Sequence, residues 1–245
     1  MIIIQLCLLH TGGQKKRDFI YRTNFNQEKA VSFIISAQDY EEMKKLASLV
    51  RVMNSLGHNP ATSGNYSLRS KTSPEIALVS ESGIDKSKFT EDNFLPVYID
   101  SREMHLDYIP SGRKSSDETD IHLTIYQITK ANCVLHSHML DSLLFADLFP
   151  GKQFATIKDL ELLKGFKGIK THELEINIPL FDNTQDIRGL AETVKPSILS
   201  QPCSYGLLLR GHGVYVWGDS VEEAKRHLEV FEYIFKYYLN SNRRF

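Results

Sequence analysis

The sequence predicts an α/β fold in which one central sheet is covered on both faces by helices. Long amphipathic helical patterns stand near both ends of the chain, and between them short β-rich runs alternate with further helical patterns, an order that layers helices on either side of a sheet. No β-rich run is followed by a Gly-x-Gly-x-x-Gly or Walker loop, so the phosphate grip of a nucleotide-binding fold is missing.

Residues 1–35 read as an N-terminal arm with weak order. Met1 to Leu9 is apolar but has no basic flank, and Thr-Gly-Gly-Gln-Lys-Lys follows where a signal peptide would carry a small-residue cleavage site. The catalytic-size domain then runs over residues 36–245. From Gln38 to Leu56, Tyr40, Met43, Leu46, Ala47, Val50 and Met53 keep helical spacing, and Gly57 stands where a C-terminal cap belongs. Strands are expected at Asn65 to Leu68, Ile76 to Val79, Leu95 to Ile99, Cys133 to His136, Leu174 to Ile178, Tyr205 to Leu209 and Val214 to Trp217, each bounded by turn-forming or charged residues. Helices are expected at Asp120 to Lys130, Lys158 to Lys164 and Ile187 to Leu199. The last helix, Val221 to Leu239, opens with Ser220 and Glu223 in capping-box positions.

Composition bounds the function. The 245 residues are 42% hydrophobic, enough for one buried core. With 29 basic and 30 acidic residues there is no global field to gather nucleic acid or an anionic membrane, so any phosphate specificity is local. Cys7, Cys133 and Cys203 are odd in number and widely spaced, which fits reduced thiols in the cytoplasm rather than a disulfide framework.

Two groups of residues carry chemistry. His136-Ser-His138 closes an expected strand, where residues two apart share a face and both imidazoles can reach one metal ion. Alone, such a pair also fits a core histidine beside a solvated strand end. His212, between Gly211 and Gly213, alone reads as the tip of a hairpin. Together the three histidines form the ligand set of a catalytic zinc, three protein ligands with a position left open. The second group, Ser63-Gly64-Asn65-Tyr66-Ser67, Ser82-Gly83 and Ser115-Ser116, offers backbone N–H groups and hydroxyls suited to a phosphate. Each loop alone is an ordinary turn or N-cap, and only their convergence makes a site. Lys86 and Lys114 stand near two of these loops, where they can neutralise a dianion or simply solvate the surface.

Gly57-His-Asn-Pro-Ala-Thr-Ser-Gly-Asn-Tyr-Ser67, Ser82-Gly-Ile-Asp-Lys86, the Ser115/Glu118 segment, His136-Ser-His138 and Gly211-His-Gly213 together resemble the class II aldolase and adducin family over about residues 36–240. Leu148-Phe-Pro-Gly151, Glu161-Leu-Leu-Lys-Gly165, Thr171-His-Glu173, Ile178-Pro-Leu-Phe-Asp-Asn183 and His212-Gly-Val-Tyr-Val-Trp-Gly218 are similar to the family's dehydratase branch. The resemblance implies a three-layer α/β/α fold with a mostly antiparallel sheet, and a hydro-lyase acting on a small ketose phosphate with one zinc ion per chain. It implies His136, His138 and His212 as metal ligands and Glu161 as the acid/base. That Glu161 match requires one residue more after Gly151 than some relatives have. Gly64, Asn65, Ser82, Gly83 and Ser116 match phosphate contacts, while Asp117 stands where the aldolases have serine. Glu118, where those aldolases keep a glutamate at the metal, is implied as a ligand or substrate contact. Leu160, Leu162 and Leu163 around Glu161 lead to the expectation of a desolvated carboxylate with a raised pKa. A homotetramer with sites near subunit boundaries is also implied. An aldolase or epimerase on another ketose phosphate, or a non-catalytic adducin-like interaction domain, are the alternative readings.

Overall fold

The computed structural model describes residues 35–200 and 205–241, so all but the last residue of the expected N-terminal arm, together with Cys7 and Cys203, lies outside the described residues. Ser36 caps the first helix, α1 (Ala37–Ser55), by accepting the Asp39 N–H on its hydroxyl at 3.0 Å. Of the stripe read from the sequence the helix buries Met43, Leu46, Ala47, Val50 and Met53, while Tyr40 is exposed and donates its hydroxyl to Glu91. Gly57, in the left-handed region at φ 81°, releases the chain after it.

Eight strands follow: β1 (Asn65–Arg69), β2 (Ile76–Ser80), β3 (Phe94–Tyr98), β4 (Cys133–Ser137), β5 (Phe154–Ile157), β6 (Ile176–Phe181), β7 (Gly206–Leu209) and β8 (Gly213–Gly218). They form one sheet in the order β3-β2-β1-β4-β8-β7-β6-β5. Every neighbouring pair is antiparallel except β6 and β7. That exception has a cause: helix α4 (Ile187–Ser200) lies between them as a crossover, the connection a parallel pair needs. The remaining helices are α2 (Thr119–Ile128), α3 (Leu140–Asp147) and α5 (Val221–Asn240).

Two apolar layers hold this together. On one face α1, α3 and α5 pack Leu46, Phe145, Phe231 and Phe235 against the sheet, and on the other α2 and α4 pack Ile121, Ile125, Leu190 and Val194. The expected three-layer α/β/α arrangement with a mostly antiparallel sheet is the observed one.

Several local expectations shift. The β5 strand and α3 are absent from the pattern reading because they are four and eight residues long, too short to show a period. The strand expected at Leu174 to Ile178 runs from Ile176 to Phe181. The helix expected over Lys158 to Lys164 is a single 3-10 turn, Glu161–Gly165, because Asp159 sits at φ 58°, a left-handed conformation that an α-helix does not pass through.

Candidate metal centre and adjoining cleft

The antiparallel pairing of β4 with β8 brings the end of one strand beside the start of the other, with His136 opposite Tyr215 and, on the other side, Asn65 of β1. His136 is fully buried and stacks on the Tyr215 ring, centroids 3.9 Å apart. Its Nδ1 lies 3.0 Å from the Val214 carbonyl oxygen, to which it donates. The proton is thereby fixed on Nδ1, and Nε2 keeps a bare lone pair. Two residues on, His138 presents Nε2 at 2.9 Å from that of His136, as the strand period dictates.

His212 occupies the turn between β7 and β8. A Cβ on Gly213 would stand 2.2 Å from the Ser137 carbonyl oxygen, so only glycine lets β8 come this close to β4 and bring His212 to the pair. Its Nδ1 donates to Asn183 Oδ1 at 3.2 Å, which again leaves Nε2 bare, 3.3 Å from that of His136. Glu118, the residue before α2, adds a carboxylate. Its Oε1 is 2.5 Å from His212 Nε2 and its Oε2 3.4 Å from His136 Nε2, while Asn65 Nδ2 donates to Oε2.

The four side chains place one donor atom each within 4.8 Å of one another. Lone pairs of neutral imidazoles and a carboxylate repel at such distances unless a cation lies between them. Three nitrogens and one oxygen suit a divalent metal, and the backbone and side-chain partners on the far nitrogens are those that orient metal-binding histidines. Burial pushes His136 well below its ordinary pKa and His138 down to about 4, which keeps both in the neutral form a metal binds.

Next to this cluster lies a cleft of about 110 Å³. Gly64, Asn65, Ser82, Gly83 and Ser116, from three separate loops, all line it, and His138 and Glu118 form the side it shares with the cluster. Gly64 is at φ 79°, and a Cβ there would strike Asn59 Oδ1 at 2.7 Å. Neither Asp117 nor Lys114 lines the cleft. Lys86 does, and it is buried rather than solvated.

Glu161 is elsewhere. It stands on the 3-10 turn with its side chain 72% exposed, Oε1 accepting from Lys164 Nζ at 2.6 Å and Oε2 3.3 Å from His172 Nδ1. It does not line the cleft. The expected desolvated carboxylate is corrected: in a 3-10 turn residues three apart superimpose, so Leu160 and Leu163 both enter the core and Glu161 points outward. The hydrogen bond from Lys164 holds its pKa below the ordinary value rather than above it. Asn183 and Tyr215 lie inside strings similar to the dehydratase branch, but no spacing in the sequence marks them as neighbours of the histidines.

The profile of the Class II Aldolase and Adducin N-terminal domain matches residues 44–239. A protein described as methylthioribulose-1-phosphate dehydratase from Picosynechococcus sp. is 36% identical over 202 residues, 82% of this chain and 92% of its own length. One from Enterobacter sp., described in the same words, is 39% identical over 199 residues, 81% of this chain and 94% of its own. Among solved structures, L-fuculose-1-phosphate aldolase from Thermus thermophilus superimposes with a TM-score of 0.58 at 20% identity, covering 83% of this chain and 94% of that one. A sugar-phosphate aldolase from Thermotoga maritima does so with a TM-score of 0.61 at 18% identity, covering 84% and 98%. These two show the shared fold.

Proposed function

The chain belongs to the class II aldolase and adducin family, and from that membership we propose that it dehydrates 5-methylthioribulose 1-phosphate to 2,3-diketo-5-methylthiopentyl 1-phosphate, the hydro-lyase step of methionine salvage. The observation that carries this reading is the continuity of the four-donor cluster with a small polar cleft, in a chain similar to dehydratases over more than nine-tenths of their length.

The metal is zinc, one ion per chain, with His136, His138 and His212 as ligands and Glu118 as a fourth donor or a substrate contact. Bound there, zinc supplies a Lewis acid that draws charge from a substrate carbonyl. The chain's own groups do the rest. Backbone N–H groups and side chains at Gly64, Asn65, Ser82, Gly83 and Ser116 hold the phosphate, which fixes the reacting carbons beside the donor cluster. The C2 ketone acidifies the C3 proton, and the C4 hydroxyl lies β to the carbanion, so loss of water follows. Glu161 takes the C3 proton and returns it to the departing C4 hydroxyl, and the enol product tautomerises to the diketone. An exposed carboxylate of this kind suits presentation across a subunit boundary, and we place the site at such a boundary of a homotetramer. The cytoplasm is the compartment we propose. Among the described residues no helix is long and apolar enough to cross a membrane.

The converging donors favour catalysis over a scaffold role, which needs none of them. Incubating the purified, metal-loaded protein with 5-methylthioribulose 1-phosphate tests the reading: diketone accumulates if it is right, and a retro-aldol fragment or unchanged substrate contradicts it.

A further inference from the structure

We infer that Lys86, the one lysine or arginine lining the cleft, is the charge that makes it specific for a phosphate dianion. The inference rests on the reading that the cleft takes the phosphate, and it adds a residue that the loop pattern alone left undecided between anion ligand and surface lysine.

Lys86 is 1% exposed, although lysine is rarely buried without a partner. Its Nζ donates to the Thr62 and Ile84 carbonyl oxygens, both at 3.1 Å, and the Phe89 ring centroid lies 5.7 Å away. An ammonium has three protons, so one is left over. Among the described residues no carboxylate lies within ion-pair distance of Nζ. Asp85 is the carboxylate that acts on it, and that group accepts from the Ser87 N–H and hydroxyl. The two carboxylates that line the cleft are engaged elsewhere, Glu81 by Arg113 at 2.7 Å and Glu118 by the histidine cluster.

A cation taken out of water, tied by neutral carbonyls and left without a counter-charge is costly to hold, and an anion entering the cleft offsets that cost. The Ser63 hydroxyl, also lining the cleft, is buried without a hydrogen-bond partner and gives such an anion a second unused donor. The alternative is that Lys86 only ties the loops at Thr62 and Ile84 together, in which case its charge has no ligand.

Lys86→Met separates these, since it keeps the length and apolar stem and removes the charge. Inorganic phosphate is the probe, titrated calorimetrically into metal-loaded protein, with metal content and unfolding temperature measured on the same samples. The inference expects at least a tenfold weaker phosphate affinity in Lys86→Met, with metal retained and with the rise in unfolding temperature that phosphate gives wild type lost. Lys86→Gln, which keeps a donor to one carbonyl, is the second variant should the methionine form fail to fold, and the same loss is expected. Wild-type phosphate affinity in either folded variant overturns the inference, as does a wild type that binds no phosphate. Because the probe is inorganic phosphate, the outcome is independent of turnover: diketone formation by wild type with unchanged phosphate binding in the variants defeats this inference alone, and loss of phosphate binding without diketone formation defeats only the substrate proposed above.

Discussion

His138 is the one histidine of the cluster that also lines the cleft, which it does together with Glu118. His138→Ala removes one neutral ligand from the set, and elemental analysis of the purified variant is expected to show its metal content collapse; full occupancy would take His138 out of the ligand set. Glu161→Gln keeps size and hydrogen bonding but not basicity. Its metal content and KM should survive while kcat falls by about a hundred- to ten-thousand-fold, the usual contribution of a general acid/base. Turnover within about threefold of wild type, by the same measure of what such groups contribute, would shift the test to Glu118. Lys86 makes a pH prediction. Burial pushes its pKa from 10.5 down to about 8. Between those values the unfolded chain holds more proton than the folded one, so this residue's contribution to stability rises with pH across the window. Urea midpoints of wild type and Lys86→Met at the two ends of the window should therefore converge or diverge by that contribution, wild type gaining on the variant as pH rises. Identical pH dependence of the two would show that Lys86 titrates normally.

The approach of β8 to β4 is what converts three histidines into a centre. Gly213→Ala forces a Cβ onto the Ser137 carbonyl oxygen, and overpacking of this kind costs about 1–3 kcal/mol. A lower urea midpoint together with weakened metal binding is expected, whereas a variant with wild-type stability and metal affinity would show that the strands have room to part. Legibility in the sequence also divides by element. The His-x-His pair was readable because a strand has a period of two, and the outer helices because 19 and 20 residues give several turns of pattern. The surroundings of Glu161 were not readable. An α-helix and a 3-10 turn bury different members of Glu161-Leu-Leu-Lys, and only the backbone at Asp159 decides between them. The burial of Lys86 was equally hidden, since Ser82-Gly-Ile-Asp-Lys86 has no period and the Thr62 and Ile84 carbonyls that receive its protons are fixed by folding.

At the scale of the molecule, the sheet order puts β1, β4 and β8 side by side, so the cleft-lining loops that flank β1 and β2, the histidines at the end of β4 and His212 of the β7–β8 turn meet at one end of one sheet. Leu140 and Leu144 on α3 and Tyr233 on α5 are exposed apolar residues on that chain's outer helical layer, and the proposed tetramer gives them something to cover. Light scattering on a sizing column should return four times the 28.0 kDa chain mass, and a monomer would remove the boundary at which Glu161 is placed. Dehydration at the histidine cluster is the central proposal. The measurement that reaches it most directly is the rate of diketone formation from 5-methylthioribulose 1-phosphate, followed on one preparation as metal is withdrawn by chelation and restored with zinc. Turnover that falls and recovers in proportion to metal bound, and that is absent from His138→Ala, is the predicted result; full turnover by metal-free protein would contradict it.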